Sequence, residues 1–258
     1  MKRALLLLGA VALTLPVVPA HAQEQTIAYF YPLRTRRPVI ERELELRVEH
    51  DKGRDGHRTE VAGAVEWPIL PRWQVEVEVP FVISDPREET SMAGVGDLTL
   101  ENKVLVWRSF DWLAAAAVGV ESRFPTGSER RGLGGEASVE PFVTAGIALG
   151  AFDILASVAY EFNVNAHVEG PREQELTASA AAAWRLSRWF SPLVELVTVT
   201  RTRASVDDEL RHRTRVSIVP GLNARVAPGS TVRLGIELPL THARGADYTI
   251  LGGLVKEF

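Results

Sequence analysis

A two-residue alternation of apolar and polar side chains, repeated in about twelve runs along the chain, constrains its fold more than any other feature. The run at 73–81, WQVEVEVPF, sets Trp73, Val75, Val77, Val79 and Phe81 on one side and Gln74, Glu76 and Glu78 on the other. Successive side chains of a strand point to opposite faces, whereas a helix would scatter both sets around its circumference. Comparable runs occupy 40–49, 59–67, 97–107, 113–124, 137–149, 152–163, 175–186, 193–203, 213–226, 231–241 and 247–258, each bounded by turn residues. The alanine runs at 114–117 and 180–183 favour helix by propensity. They are read as strand because Leu176, Ala178, Ala180, Ala182 and Trp184 carry the alternation through and no capping residues bracket a helix.

The connections sort by length. Those at 50–58, 83–96, 125–136, 164–174 and 204–212 are long, those at 68–72, 108–112, 150–151, 187–192 and 227–230 are short, and 242–246 is the shortest of the long set. Long loops at one end of an antiparallel meander and tight turns at the other are the pattern of a transmembrane barrel, its tight turns on the periplasmic side. All six tryptophans lie beside short turns: Trp67 and Trp73, Trp107 and Trp112, Trp184 and Trp189. Indole rings favour the headgroup layer, so these six form an aromatic girdle, although Trp107 has the parity of the polar side of its own strand. Residues 40–258 are therefore expected to form an all-β, up-and-down antiparallel barrel of about twelve strands that crosses a membrane, with Val75, Val77 and Val79 facing lipid. Phe258 closes the last strand on the face of Tyr248, Ile250, Gly252 and Leu254. It resembles the terminal signal read by the barrel-assembly machinery, with Lys256 as a departure.

The amino terminus points to export. Lys2 and Arg3 precede an apolar run from Ala4 to Ala20, and Ala20-His21-Ala22 completes the pattern of a signal peptide over 1–22, cleaved after Ala22. That run is broken by Pro16 and Pro19 and is too short for a spanning helix. Without Lys2 and Arg3 the chain carries 27 basic and 33 acidic residues, a net charge of −6 that argues against nucleic acid as a partner. The chain has no cysteine and so neither a disulfide nor a thiolate metal site. The expected surroundings are the lipid and lipopolysaccharide of a bacterial outer membrane, with the assembly machinery and a small-molecule substrate as partners.

In this register the inner face carries Glu43, Glu45, Glu60, Glu66, Glu76 and Glu78 from the early strands. The late strands add Arg201, Arg203, Arg213, Arg215, Arg225 and Arg233, with Asp97, Glu101, Lys103, Glu121 and Glu140 between the two groups. A bore only ~15 Å across lets acids and arginines meet over it. The outcome is either a charge-lined passage or a self-neutralised network that closes it. The stretch 23–39, with Tyr29, Phe30, Tyr31, Arg34, Arg36 and Arg37, is either a periplasmic tail or a plug with its aromatics in the bore. His50, His57, His167, His212 and His242 fall at the long-loop end without a tight ligand spacing, so neither a metal nor a cofactor is expected. Ser157, Ser179 and Ser217 lie on strands with no histidine expected at their height, and there is no G-x-S-x-G motif, so no enzyme is expected.

Two motifs remain. AGVGDLTLENKVLV at 93–106 places Gly94 and Gly96 before Asp97 and Lys103, and GVESRFPTGS at 119–128 ends a strand at Pro125-Thr126-Gly127. The glycines permit positive φ and the proline stops a ladder. Together they resemble the outer-membrane family named for the MetA pathway of phenol degradation. The resemblance implies a barrel associated with catabolism or uptake of hydrophobic compounds, and it supplies no site residues. The expected function is passage of small hydrophobic or aromatic compounds through a charge-lined lumen; the alternative is a closed barrel working through its long loops.

Overall fold

The computed structural model describes residues 27–54, 56–87, 90–164, 174–203, 213–243 and 245–258. The signal region 1–22, residues 23–26, His167 and His212 lie outside the described residues. The alternating runs form β1 (Glu43–Lys52), β2 (Gly56–Leu70), β3 (Trp73–Pro86), β5 (Leu98–Ser109), β6 (Ala114–Phe124) and β7 (Ser138–Leu149), and a further short strand, β4 (Met92–Val95), lies within the expected connection 83–96. The later ones form β8 (Phe152–Asn163), β9 (Gln174–Trp184), β10 (Phe190–Arg203), β11 (Thr214–Ala227), β12 (Ser230–Pro239) and β13 (Tyr248–Glu257). Both alanine runs are strand, inside β6 and β9.

Each strand of the wall pairs antiparallel with the next one round, β3 with β5 as well as β2, and β1 pairs with β13 as well as β2, so the sheet closes on itself. The short β4 is an offshoot that pairs with β3 beyond the point where β5 leaves it, which leaves twelve staves in the barrel. Closure removes the edges that neither water nor lipid could satisfy. The outer face is apolar all round: Leu46, Val79, Phe81, Val143, Val158, Leu234 and Leu254 are all exposed. A belt of this extent exceeds the few hundred Å2 of contiguous apolar surface that soluble monomers tolerate, and it is the lipid face of a transmembrane barrel.

Two sequence expectations change. Trp107 keeps no inward parity, because the β5–β6 register shifts between Leu105 and Trp107. Leu105 stays 4% exposed inside while Trp107 turns out at 49%. A bulge of one residue re-aims every side chain beyond it. The expected long connection at 50–58 shrinks to a tight hairpin, with Lys52 still paired to His57 and the Gly53 N–H donating to the Gly56 carbonyl at 3.0 Å. Beyond the bilayer a strand needs no apolar face, so the ladder runs on where the apolar alternation stops.

The remaining tryptophans stand beside the short turns. Trp112 is 71% exposed, and Trp184 stacks on Phe152 with centroids 6.4 Å apart. Trp189 is exposed next to β10, and Trp73 directs its indole N–H at the Asn102 Oδ1 at 3.4 Å on the outer face. Trp67 lies under the Arg42 guanidinium at 4.1 Å and against Phe258 at 6.1 Å. Phe258 thus meets the first hairpin, and its N–H donates to the Arg42 carbonyl.

Candidate functional site

Residues 27–42 rise into the bore from the short-turn end, bend at Leu33–Thr35, and return to start β1. The ascending arm is apolar. Ile27, Tyr29 and Phe30 are buried in one cluster with Leu105, Ala115, Ala148, Leu155, Ala181, Ala183 and Leu193. The alanines explain themselves here: a strand wall that must admit two aromatic rings has no room for larger inward side chains. The Tyr29 hydroxyl donates to the Gly146 carbonyl at 2.9 Å, and the Asn223 side-chain amide takes both the N–H and the carbonyl of Tyr31, at 2.7 and 2.8 Å.

The bend is gripped by Glu195, which is fully buried. Its carboxylate accepts the N–H groups of Leu33 at 2.5 Å, Arg34 at 3.1 Å and Thr35 at 2.8 Å, and the Thr35 hydroxyl at 2.8 Å. The descending arm is cationic. Arg34 bonds Glu49 and Glu237; Arg36 bonds Glu101, Glu121 and Glu140 at 3.2, 2.5 and 2.9 Å. Arg37 bonds Glu41 and Glu43 at 2.7 and 2.8 Å, with its guanidinium 3.9 Å from the Tyr31 ring. Each planar guanidinium can serve several carboxylates at once, which lysine cannot.

The expected lumen acids therefore find their partners mainly in this inserted stretch and in Arg47, and of the late-strand arginines Arg233 reaches an early acid, Glu45. Glu76 and Glu78 share Arg47. Lys103 lies between Glu66 and Glu101 at 3.6 and 3.7 Å. Glu60 is half-buried beside Arg58. Arg215 lies 3.9 Å from Glu175, and Arg225 is exposed at the short-turn rim, where its backbone N–H donates to the Trp189 carbonyl. The early acids and late arginines that could meet across the bore do so at Glu45 and Arg233, and the inserted chain supplies the cations for Glu43, Glu101, Glu121 and Glu140.

Asp97 is likewise not part of a passage wall. Buried between β4 and β5, it accepts the N–H groups of Gly127, Gly135 and Glu136 at 2.8, 2.8 and 3.0 Å. Thr126 completes the knot, accepting from Leu98 N–H and donating to the Gly96 carbonyl. Gly134, at φ +142°, passes so close that a Cβ would lie 2.6 Å from the Asp97 carboxylate. Asp97 and the glycines and threonine of the two sequence motifs thus meet in one staple, which fastens the third long loop and buries Leu133 against Gly94. Glu195 and Asn223 are the residues the sequence reading passed over, each a polar residue at an inward position of a largely apolar run, and that is the signal that could have found them. Gln74, expected on the inner face, accepts the Glu41 N–H with its side-chain carbonyl at 2.9 Å.

Two spaces in the bore bear on function. A vestibule of 690 Å3 opens at the long-loop end, lined by Arg34, Glu49, Asp51, Glu237 and Tyr248 on one side and by Thr177, Val197, Val199 and Ser217 on the other. A smaller chamber of 200 Å3 lies beside the descending arm, among the carboxylates and cations described above. Within it Glu43, Glu45 and Glu66 bring carboxylate oxygens within 4.8 Å of one another, but Arg37, Arg233 and Lys103 already neutralise them.

Fold and filling together define a transmembrane β-barrel of the outer-membrane type whose own N-terminal stretch occupies the bore. The family model "Putative MetA-pathway of phenol degradation" matches residues 48–245, and the chain belongs to that family. Among solved structures the chain is similar to the COG4313 outer membrane channel from Pseudomonas putida F1 (TM-score 0.70, 13% identity, covering 89% of this chain and 100% of that one). It is also similar to the NanC porin (TM-score 0.60, 12% identity, 83% and 98%) and the KdgM porin (TM-score 0.56, 9% identity, 84% and 99%). At these identities the likeness is one of fold. No curated protein matches the chain by sequence.

Proposed function

We propose that this chain is an outer-membrane channel that admits small hydrophobic or aromatic compounds at its long-loop, outward end. The observation that carries this reading is the vestibule, whose Val197 and Val199 continue into an apolar floor of Val219, Leu251 and Leu33. A polar solute needs no such floor, and a charged wall facing an apolar one suits a ring that bears a single polar group. The family's association with phenol degradation and the channel fold of its structural neighbours support the same reading. Transport is preferred over catalysis because Ser157 and Ser179 hydrogen-bond each other at 2.8 Å rather than presenting a nucleophile to a base. The leader expected from the sequence, the girdle and Phe258 support insertion by the barrel-assembly machinery among phospholipid and lipopolysaccharide.

The test is uptake of the hydrophobic dye N-phenyl-1-naphthylamine, which fluoresces on reaching phospholipid and is held back by an intact lipopolysaccharide leaflet. Cells carrying the barrel should take it up several-fold faster than cells without it; equal rates would overturn the reading. A closed barrel acting through its loops is the second reading, favoured by the ion pairs of Arg36 and Arg37 that fill the bore. Bilayers that stay silent with protein shown folded by its heat-modifiable gel shift, together with equal dye uptake, would establish it.

A further inference from the structure

The two rims of the barrel carry their charges differently. At the long-loop end both signs mix, with Asp51, Lys52 and Arg54 in the first hairpin and Glu129, Arg130, Arg131 and Glu136 in the third long loop. At the short-turn end one arc is cationic. Its segments 184–192 and 220–232 hold Arg185, Arg188 and Arg225 and no acid, and Lys256 and Arg42 continue it across the seam where β13 meets β1. Two acids lie near the arc, and both are engaged. Asp153 is buried and bonds Arg185 at 3.4 Å, while Glu257 accepts the Tyr31 hydroxyl from inside the bore.

Hydrogen bonds join the arc into one surface. The Arg225 N–H donates to the Trp189 carbonyl at 2.8 Å, the Lys256 Nζ to the Pro228 carbonyl at 2.9 Å, and the Phe258 N–H to the Arg42 carbonyl at 3.2 Å. The rim is thus continuous from the β9–β10 turn to the start of β1, and Lys256, which departs from the apolar register of the last strand, has its place in it. Two of the guanidinium groups lie over indole rings, Arg188 at 4.9 Å from the centre of Trp189 and Arg42 at 4.1 Å from that of Trp67. A guanidinium stacked by its face keeps its N–H groups at its edge, in the fork that fits a phosphate.

Towards the middle of the wall the same strands turn Phe190, Leu222, Val226 and Leu254 outward into the lipid belt. Cations at the level of the indoles with apolar side chains above them match the two parts of a phospholipid, its phosphate and its acyl chains. A zwitterionic headgroup brings a cation of its own. The arc already holds more cations than acids, so it favours a headgroup whose charge is net negative.

We propose that the short-turn arc from Arg188 to Arg42 is a binding surface for anionic phospholipid, the class of phosphatidylglycerol and cardiolipin, in the leaflet that faces the tight turns. This does not depend on what the bore admits. In the test, the protein is refolded in detergent, shown folded by its heat-modifiable gel shift, and mixed with dioleoylphosphatidylglycerol or dioleoylphosphatidylcholine; native mass spectrometry counts the bound lipid. The two lipids share their chains and differ in headgroup charge. Each basic side chain near an anionic surface contributes roughly a fivefold preference, so several together should make phosphatidylglycerol bind at least ~tenfold more tightly. R188Q/R225Q/K256Q should bring the two lipids to within about twofold of each other. R72Q/R108Q, which removes two cations from the part of the rim that carries Asp111, should leave the preference in place. Equal binding of the two lipids by the wild type, or a folded triple variant that keeps the preference, would overturn the proposal. Inorganic phosphate, added against chloride of the same ionic strength, separates the sources: a preference that survives it belongs to the lipid, and one that phosphate alone abolishes marks a free-anion site and overturns the lipid assignment.

Discussion

Glu195 and Asp97 act in the same way at two places in the barrel: one buried carboxylate collects several backbone N–H groups of a stretch that has no ladder of its own. Hydrogen bonds to a charged acceptor each contribute roughly 1.5–3 kcal/mol, and a buried donor left without an acceptor costs a further ~1–3 kcal/mol. Glu195→Leu should therefore destabilise docking of the bend by at least ~3 kcal/mol, which at ~1.4 kcal/mol per decade is a hundredfold or more in the released population. Trypsin digestion of the folded protein reads this directly, since the cleavable Arg34–Thr35 and Arg36–Arg37 bonds lie at the bend; an unchanged cleavage rate would show that Glu195 does not hold it. Asp97→Asn should instead expose Arg130 and Arg131 of the third long loop to trypsin and leave the bend protected. The inward positions of both acids are legible in the sequence. Which N–H groups reach them is not, because Gly127, Gly135 and Leu33 lie 30 to 162 residues away and no local pattern encodes that meeting.

At the scale of elements, the strands and their facing were legible because lipid enforces the alternation at every membrane-crossing position. The rule lapses where lipid does not act: at the long-loop end, where β1 and β2 run on as a polar hairpin, and at the β5 bulge that turns Trp107 outward. The alanine runs carried information of another kind. Ala115, Ala181 and Ala183 are small because Ile27, Tyr29 and Phe30 pack against them, so a strand that looks poor by propensity marks where the inserted stretch runs. Ala181→Leu adds volume to a close-packed site, and overpacking costs about 1–3 kcal/mol. It should loosen the ascending arm, raising trypsin cleavage at Arg34 and Arg36 while the barrel itself keeps its gel shift. If cleavage stays at the wild-type level, the arm does not depend on that wall. Arg36→Met tests the descending arm. It leaves Glu101, Glu121 and Glu140 without their shared cation, and breaking one side of a buried pair costs about 3–5 kcal/mol, so the melting temperature should fall further than in Ala181→Leu.

Across the whole molecule, the inserted stretch divides the bore into an apolar half, sealed by packing, and a charged half with space left in it. Ions that cross must use the second. Its chamber is lined by seven carboxylates, Glu43, Glu45, Glu66, Glu76, Glu78, Glu101 and Glu121, and six cations, Arg34, Arg36, Arg37, Arg47, Lys103 and Arg233. So even a balance implies weak selectivity, with the sign set by very few residues. Glu76→Gln with Glu78→Gln removes two of the seven acids and frees Arg47, which bonds both. The chamber then holds five carboxylates against six cations, and the preference should move from slightly cationic to anionic. Reversal potentials of single channels under a salt gradient measure this, and the shift should be largest at low ionic strength, where the Debye length of ~30 Å at 0.01 M leaves the wall charges unscreened. A reversal potential that does not move would mean that ions bypass this chamber. The space beside Arg36 would then be a void in a sealed plug.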